Sequence, residues 1–110
     1  MNVGEKINIE ELKKGRDLDC AEIMNFLQAH KQRFWCWGAH KFIKMTNSAL
    51  RFNVSGLIHT GHVYIFINGA DYFDIYLTSN QGTIKAVFND IDIESLFSVI
   101  DENIEIKRRG

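Results

Sequence analysis

The chain has 110 residues, 45% of them apolar and 25% charged, a globular balance that excludes intrinsic disorder. Thirteen basic and fourteen acidic side chains leave a net charge of −1, so no general field attracts nucleic acid or an anionic membrane, and either would need a local patch. No apolar run approaches the roughly 20 residues of a membrane span. One domain, residues 1–110, is expected, with 1–7 and 107–110 as mobile tails.

The first fourteen residues carry Glu5, Glu10 and Glu11 and no apolar h-region, so no secretory signal peptide is expected. Cys20 and Cys36 lack CxxC spacing. A disulfide between them stays open, but a reduced pair and a cytoplasmic location are the expectation. The chain has no proline, so its turns fall to Gly and Asn, at Asn47-Ser48, Gly56, Gly61, Asn68-Gly69 and Asn80-Gln81-Gly82.

Asn8 to Gly15 predicts a two-turn helix, with Asn8 as N-cap, Glu11 three residues on and Gly15 past its end. Asp19 with Glu22 then caps a second helix whose apolar stripe is Ile23, Phe26 and Leu27, ending near His30. From Arg33 to Phe88 the pattern is strand-like, with candidates at Phe34–Trp37, Lys41–Thr46, Ala49–Ser55, His62–Asn68, Tyr72–Thr78 and Thr83–Phe88. Phe34–Trp37 also suits a helix end or a packed loop. In the third candidate Leu50, Phe52 and Val54 alternate with Arg51, Asn53 and Ser55, one buried face against one wet face. In the sixth, Ile84, Ala86 and Phe88 are expected in the core, with Lys85 in solvent. The chain closes with a helix over 92–103, whose Ile93, Leu96, Phe97, Ile100 and Ile104 form one stripe behind a cap at Asp90 or Asp92.

The composite predicts an α+β fold. An antiparallel β-meander of five or six strands carries N-terminal helices and a C-terminal helix packed on one face.

The hairpin His62–Thr78 is the most informative segment. Asn68-Gly69 predicts a tight turn requiring positive φ. One set of alternate positions (Val63, Ile65, Ile67, Phe73, Ile75, Leu77) belongs under the helices. The other carries Tyr64, Phe66, Tyr72 and Tyr76, where a wet face should be polar. These rings need a cover, and three are open: the Trp35/Trp37 region, a second copy of the chain, or a partner. The reading is a non-enzymatic binding or accessory module that meets a protein partner or itself through Tyr64, Phe66, Tyr72 and Tyr76, with Arg51 at the rim. The alternative is a single-stranded nucleic-acid binder, with bases stacked on Tyr64, Phe66 or Tyr76 and phosphates on Arg51, Lys41, Lys44 and Lys85.

Other chemistry is thinner. Cys36, His40, His59 and His62 could converge as a zinc site, but CxxC pairs are missing, and His59 and His62 also read as loop residues flanking Gly61. Cys36 with His40 or His62 is the candidate nucleophile pair, yet a thiol between two tryptophans reads as buried and protonated. Asp90 and Asp92 read as caps, and Asp71 and Asp74 as solvated loop acids. No catalytic residue, metal or cofactor is therefore assigned.

The stretch Gly61–Leu77 followed by Gly82-Thr83-Ile84-Lys85, with Trp37-Gly38-Ala39-His40 upstream and the C-terminal helix, resembles small uncharacterised bacterial proteins, many of them encoded by phages and mobile elements. The resemblance implies a small accessory protein and transfers no activity, cofactor or site.

Overall fold

A computed structural model of the chain describes residues 2–29, 38–56 and 59–104, apart from the side chains of Cys20 and Gln28. A 3-10 turn at Glu11–Lys13 precedes helix α1 (Cys20–Gln28). Five strands follow: β1 (His40–Thr46), β2 (Ala49–Ser55), β3 (Thr60–Ile67), β4 (Phe73–Thr78) and β5 (Ile84–Ile91). Helix α2 (Ile93–Ile104) comes last. Among the described residues the strands form one antiparallel sheet in the order β1-β2-β3-β4-β5. This is the expected α+β meander. The candidate strand at Phe34–Trp37 lies outside the described residues.

Capping chemistry places both helices. Asp19 Oδ1 accepts from the Glu22 N–H at 3.1 Å, and Asp92 Oδ1 accepts from the Ser95 N–H at 2.9 Å. Ile23 and Leu27 of α1 share one buried cluster with Leu96, Phe97, Ile100 and Ile104 of α2 and with Leu50, Phe52, Val54, Val63, Ile65, Ile75 and Leu77 of the sheet. Each such fully buried side chain contributes about 1.5–3 kcal/mol. The largest outward shifts of an expected boundary are in β5, which runs to Ile91, and in β3, which begins at Thr60.

The N-terminal segment departs from expectation in two ways. Residues 2–7, expected as a mobile tail, are tied to the sheet edge: Gly4 N–H donates to Ile84 O, Ile84 N–H to Glu5 O and Ile7 N–H to Gly82 O, each at 2.8 Å. Lys6 adds an antiparallel bridge to Thr83. The two-turn helix over Asn8–Gly15 shrinks to the single turn Glu11–Lys13. Asn8 Oδ1 accepts from Glu10 N–H at 3.0 Å, two residues on, which closes a local turn in place of a cap. Beyond it the chain lies directly on β3, where a Cβ on Gly15 would overlap the Ile67 carbonyl and the Phe66 ring. A helix roughly 10 Å across with its side chains does not fit at that approach.

This segment covers the far side of the sheet. Leu12 is buried with Ala49, Tyr64, Phe66, Tyr76 and Ile84 in a second cluster, flanked by Ile7, Ile9, Met45 and Val87. The expectation that the N-terminal helices and the C-terminal helix pack on one face is therefore corrected: the 3-10 turn packs on the opposite face from the Leu50–Phe52–Val54 core. Ile84 is buried as expected, but in this second cluster. The pairing of β4 with β5 shifts between Leu77–Ala86 and Thr78–Ile84, and that irregularity turns Ile84 to the second face while Ala86 and Phe88 stay with the first core.

The β3–β4 connection lies where the expected strands, His62–Asn68 and Tyr72–Thr78, leave it, but its left-handed residue is not in the Asn68-Gly69 pair. Ile67 pairs with Phe73, and Asn68 N–H donates to Tyr72 O at 2.8 Å, which leaves a three-residue loop, Gly69-Ala70-Asp71. The left-handed residue is Asp71, with φ 69°, and not Gly69. A type I turn followed by one left-handed residue is the usual geometry of such loops.

Candidate functional site on the second sheet face

Cross-strand register sets out the second face in rows. One row runs Arg51–Tyr64–Tyr76–Val87, and another runs His40–Asn53–His62–Thr78. Ala49 and Phe66 pair in a third, which continues to Asp74. The face is divided: an apolar part under the N-terminal segment, and a polar end built by Arg51, Asn53 and His62.

Three of the four predicted contact rings lie in the covered part. Tyr64, Phe66 and Tyr76 are 3%, 8% and 6% exposed, against 45% for Tyr72. Their placement as an open contact centre is corrected to core packing, because Leu12 and Ile84 close over them. Among the described residues the cover is the N-terminal segment, part of which was expected to be mobile, while Trp35 and Trp37, one of the three covers foreseen, lie outside them. Tyr72 stands apart at the β3–β4 loop, beside Asp71, whose carboxylate pairs with Arg16 Nε at 2.8 Å.

Arg51 lies beside the covered rings, in the cross-strand row of Tyr64 and Tyr76. It is half-buried, and among the described residues none of the ion pairs involves it and its buried Nε has no hydrogen-bond partner. Asn53 Oδ1 and His62 Nδ1 share that condition. The three residues are neighbours: Asn53 faces His62 directly, and Arg51 is two positions along β2 on the same side. Same-face neighbours of that kind stand roughly 7 Å apart at Cα. Leaving a buried donor or acceptor unpaired costs about 1–3 kcal/mol per group. Three in one patch is a concentration, since buried polar groups are ordinarily satisfied.

The electrostatics agree with a cationic, partly desolvated patch. Burial holds the His62 imidazole below the usual histidine pKa, and the Arg51 guanidinium and His59 push it further in the same direction. His59 is also lowered, by burial first, with hydrogen bonds to the backbone of His62 and Thr78 opposing and Lys85 adding to the drop. Its Nε2 donates a long bond, 3.4 Å, to the His62 carbonyl. His40, opposite Asn53 on β1, donates from Nδ1 to Gly38 O at 2.6 Å. In the covered part, burial raises the Tyr76 pKa, with Asp74 and Glu11 contributing.

The histidines do not assemble into a metal centre there. Among the described residues no group of three or more His, Cys, Asp and Glu side chains could hold an ion. Cys36, and with it the proposed nucleophile pair, lies outside the described residues, as does the Cys20 side chain. Asp92 caps α2, while Asp74 and Asp90 are both engaged by Asn68. No helix among the described residues is long and apolar enough to cross a membrane.

Sequence reading set Asn53 on the wet face of its strand and weighed His62 for zinc and for a nucleophile pair, but joined neither to the contact surface. The signal for Asn53 was present in the alternation Phe52-Asn53-Val54, which turns it away from the core. His62 could be set beside it only once the β2–β3 register was known. Compared with known proteins, the chain matches no family model, no curated protein and no solved structure.

Proposed function

We propose that the protein is a non-enzymatic binding module that contacts a protein partner through the polar end of the second sheet face, with Arg51 at its centre and Asn53 and His62 beside it. The observation that carries this reading is the set of three adjacent buried polar atoms without partners among the described residues. Unpaired polar groups lower stability, and a partner that completes their hydrogen bonds recovers that cost on binding. Ile43, opposite Arg51 on edge strand β1 and 43% exposed, supplies apolar area next to them.

Single-stranded nucleic acid fits this surface less well. Base stacking needs accessible rings, and Tyr64, Phe66 and Tyr76 are enclosed. Self-association through the same patch would place Arg51 against its own copy, an unfavourable cation pair unless an acid lies between.

The test compares wild type with Arg51→Ala, His62→Ala and the remote exposed control Glu102→Ala. Each is used to capture partners and is sized by light scattering. Loss of the same captured protein in the first two variants and its retention in the control supports the reading. Identical capture by all four chains overturns it, and a dimer lost only in the patch variants replaces it with self-association.

A further inference from the structure

We infer that Arg51, Asn53 and His62 form a carboxylate-binding subsite for an acidic side chain of the protein partner. The inference rests on the binding-module reading above and adds the chemistry of the group that is bound. Arg51 presents a buried, unpaired Nε. The Nε–H and the neighbouring Nη–H of a guanidinium make the side-on fork that matches the two oxygens of a carboxylate. His62 Nδ1 and the Asn53 amide stand next to it on the same sheet face. An asparagine amide that turns over presents Nδ2–H where Oδ1 stands, so it can donate to an anion from the same position.

Charge selects the carboxylate over a phosphate. The patch holds one permanent cation, Arg51, while Asn53 is neutral and His62 favours its neutral form. One full positive charge balances a monoanion and leaves a phosphate dianion half compensated. All three residues are half-buried as a whole, so part of each side chain already reaches the surface where a ligand would arrive.

The experiment uses the whole protein labelled with nitrogen-15 and follows the Arg51 Nε–H, Asn53 amide and His62 imidazole resonances at low salt. The probes are hexaglutamate, hexaglutamine and inorganic phosphate. The expected result is a saturable shift of the Arg51 and Asn53 signals with hexaglutamate and none with hexaglutamine. Arg51→Lys and the near-isosteric Asn53→Asp each weaken the hexaglutamate titration by about tenfold or more, the factor for losing one charge-assisted hydrogen bond. Both variants must keep the wild-type amide spectrum away from the patch. Absence of a saturable response, an equal or stronger response to phosphate, or an unchanged titration in both variants overturns the inference. If hexaglutamate fails while Arg51→Ala still abolishes partner capture, the carboxylate assignment falls and the binding-module reading stands.

Discussion

Asp71 in the β3–β4 loop occupies the position that Gly82 holds in the β4–β5 loop. Both are left-handed, at φ 69° and 88°. The two loops share their bonding: Asn68 Oδ1 accepts from the N–H groups of Ala70 and Tyr72, and Ser79 Oγ accepts from those of Gln81 and Thr83. Asn68 and Ser79 are thus equivalent turn-opening residues, and the glycine that suggests a turn by sequence, Gly69, is not the one that the backbone needs.

That equivalence separates two substitutions. Gly69 has ordinary φ, and an added Cβ meets nothing within 4 Å. Gly69→Ala should leave stability unchanged or raise it by about 0.4–1 kcal/mol through the unfolded chain. Gly82→Ala has room, with Ile7 Cγ2 at 3.6 Å, but must hold a left-handed alanine. It should cost roughly 1–2 kcal/mol. Urea unfolding of the pair checks this, and a larger loss for Gly69→Ala would move the left-handed position to Gly69.

Leu12 is the apolar anchor of the N-terminal cover, fully buried against Tyr64, Phe66 and Tyr76. Leu12→Ala should therefore destabilise by about 2–5 kcal/mol, in the range of a substitution in the main core such as Ile100→Ala. Gly15→Ala should also destabilise, because its methyl would overlap the Ile67 carbonyl. Denaturant midpoints measured with unchanged m-values decide the point, and a neutral Leu12→Ala would mean that the segment is not part of the cooperative fold.

What the sequence disclosed, and what it withheld, follows from the range of the interactions. Ala49–Ser55 and the stripe from Ile93 to Ile104 were legible because alternation and helical spacing are local patterns tied to one large core. The need for a cover over Tyr64, Phe66 and Tyr76 was legible for the same reason. Its identity was not, since a single buried leucine in a short 3-10 turn has no periodicity to mark it. The side taken by Ile84 depends on a pairing irregularity, and the loop at Asn68 depends on where β3 and β4 close. The polar patch required register between Asn53 and His62, a relation that spans the β2–β3 connection.

The shifted titratable groups tie stability to pH. The lowered His59 and His62 values mean that the unfolded chain takes up protons first, so their contribution is full above pH 6.5 and falls as the pH drops below it towards the folded-state values. Tyr76 is raised, so the unfolded chain ionises first and stability falls as the pH rises above 10. Unfolding measured across pH should show both limbs. Tyr76→Phe should flatten the alkaline limb, by up to about 1.4 kcal/mol per pH unit, and His62→Gln should flatten the acid one. Limbs unchanged in these variants would show that neither group is desolvated by the fold.

Asn68 ties the loop to two acids. Its Nδ2 donates to Asp74 Oδ1 at 3.1 Å and to Asp90 Oδ1 at 3.0 Å, and Asp74 Oδ1 also accepts from the Asp90 N–H at 3.0 Å. Asn68→Asp keeps the acceptor that the loop amides use and removes both donors, placing a third carboxylate where the bonds to Asp74 and Asp90 were. The expected loss at pH 7 is about 1–2 kcal/mol, moderated by the exposure of Asp90 to solvent. Raising the salt concentration partly screens the repulsion among the three acids, so the gap to wild type should narrow there. Asn68→Ala, which lacks any polar group, should show no such recovery. Parallel urea titrations at low and high salt distinguish the two, and a gap for Asn68→Asp that does not change with salt would mean that Asn68 acts through its loop acceptor alone.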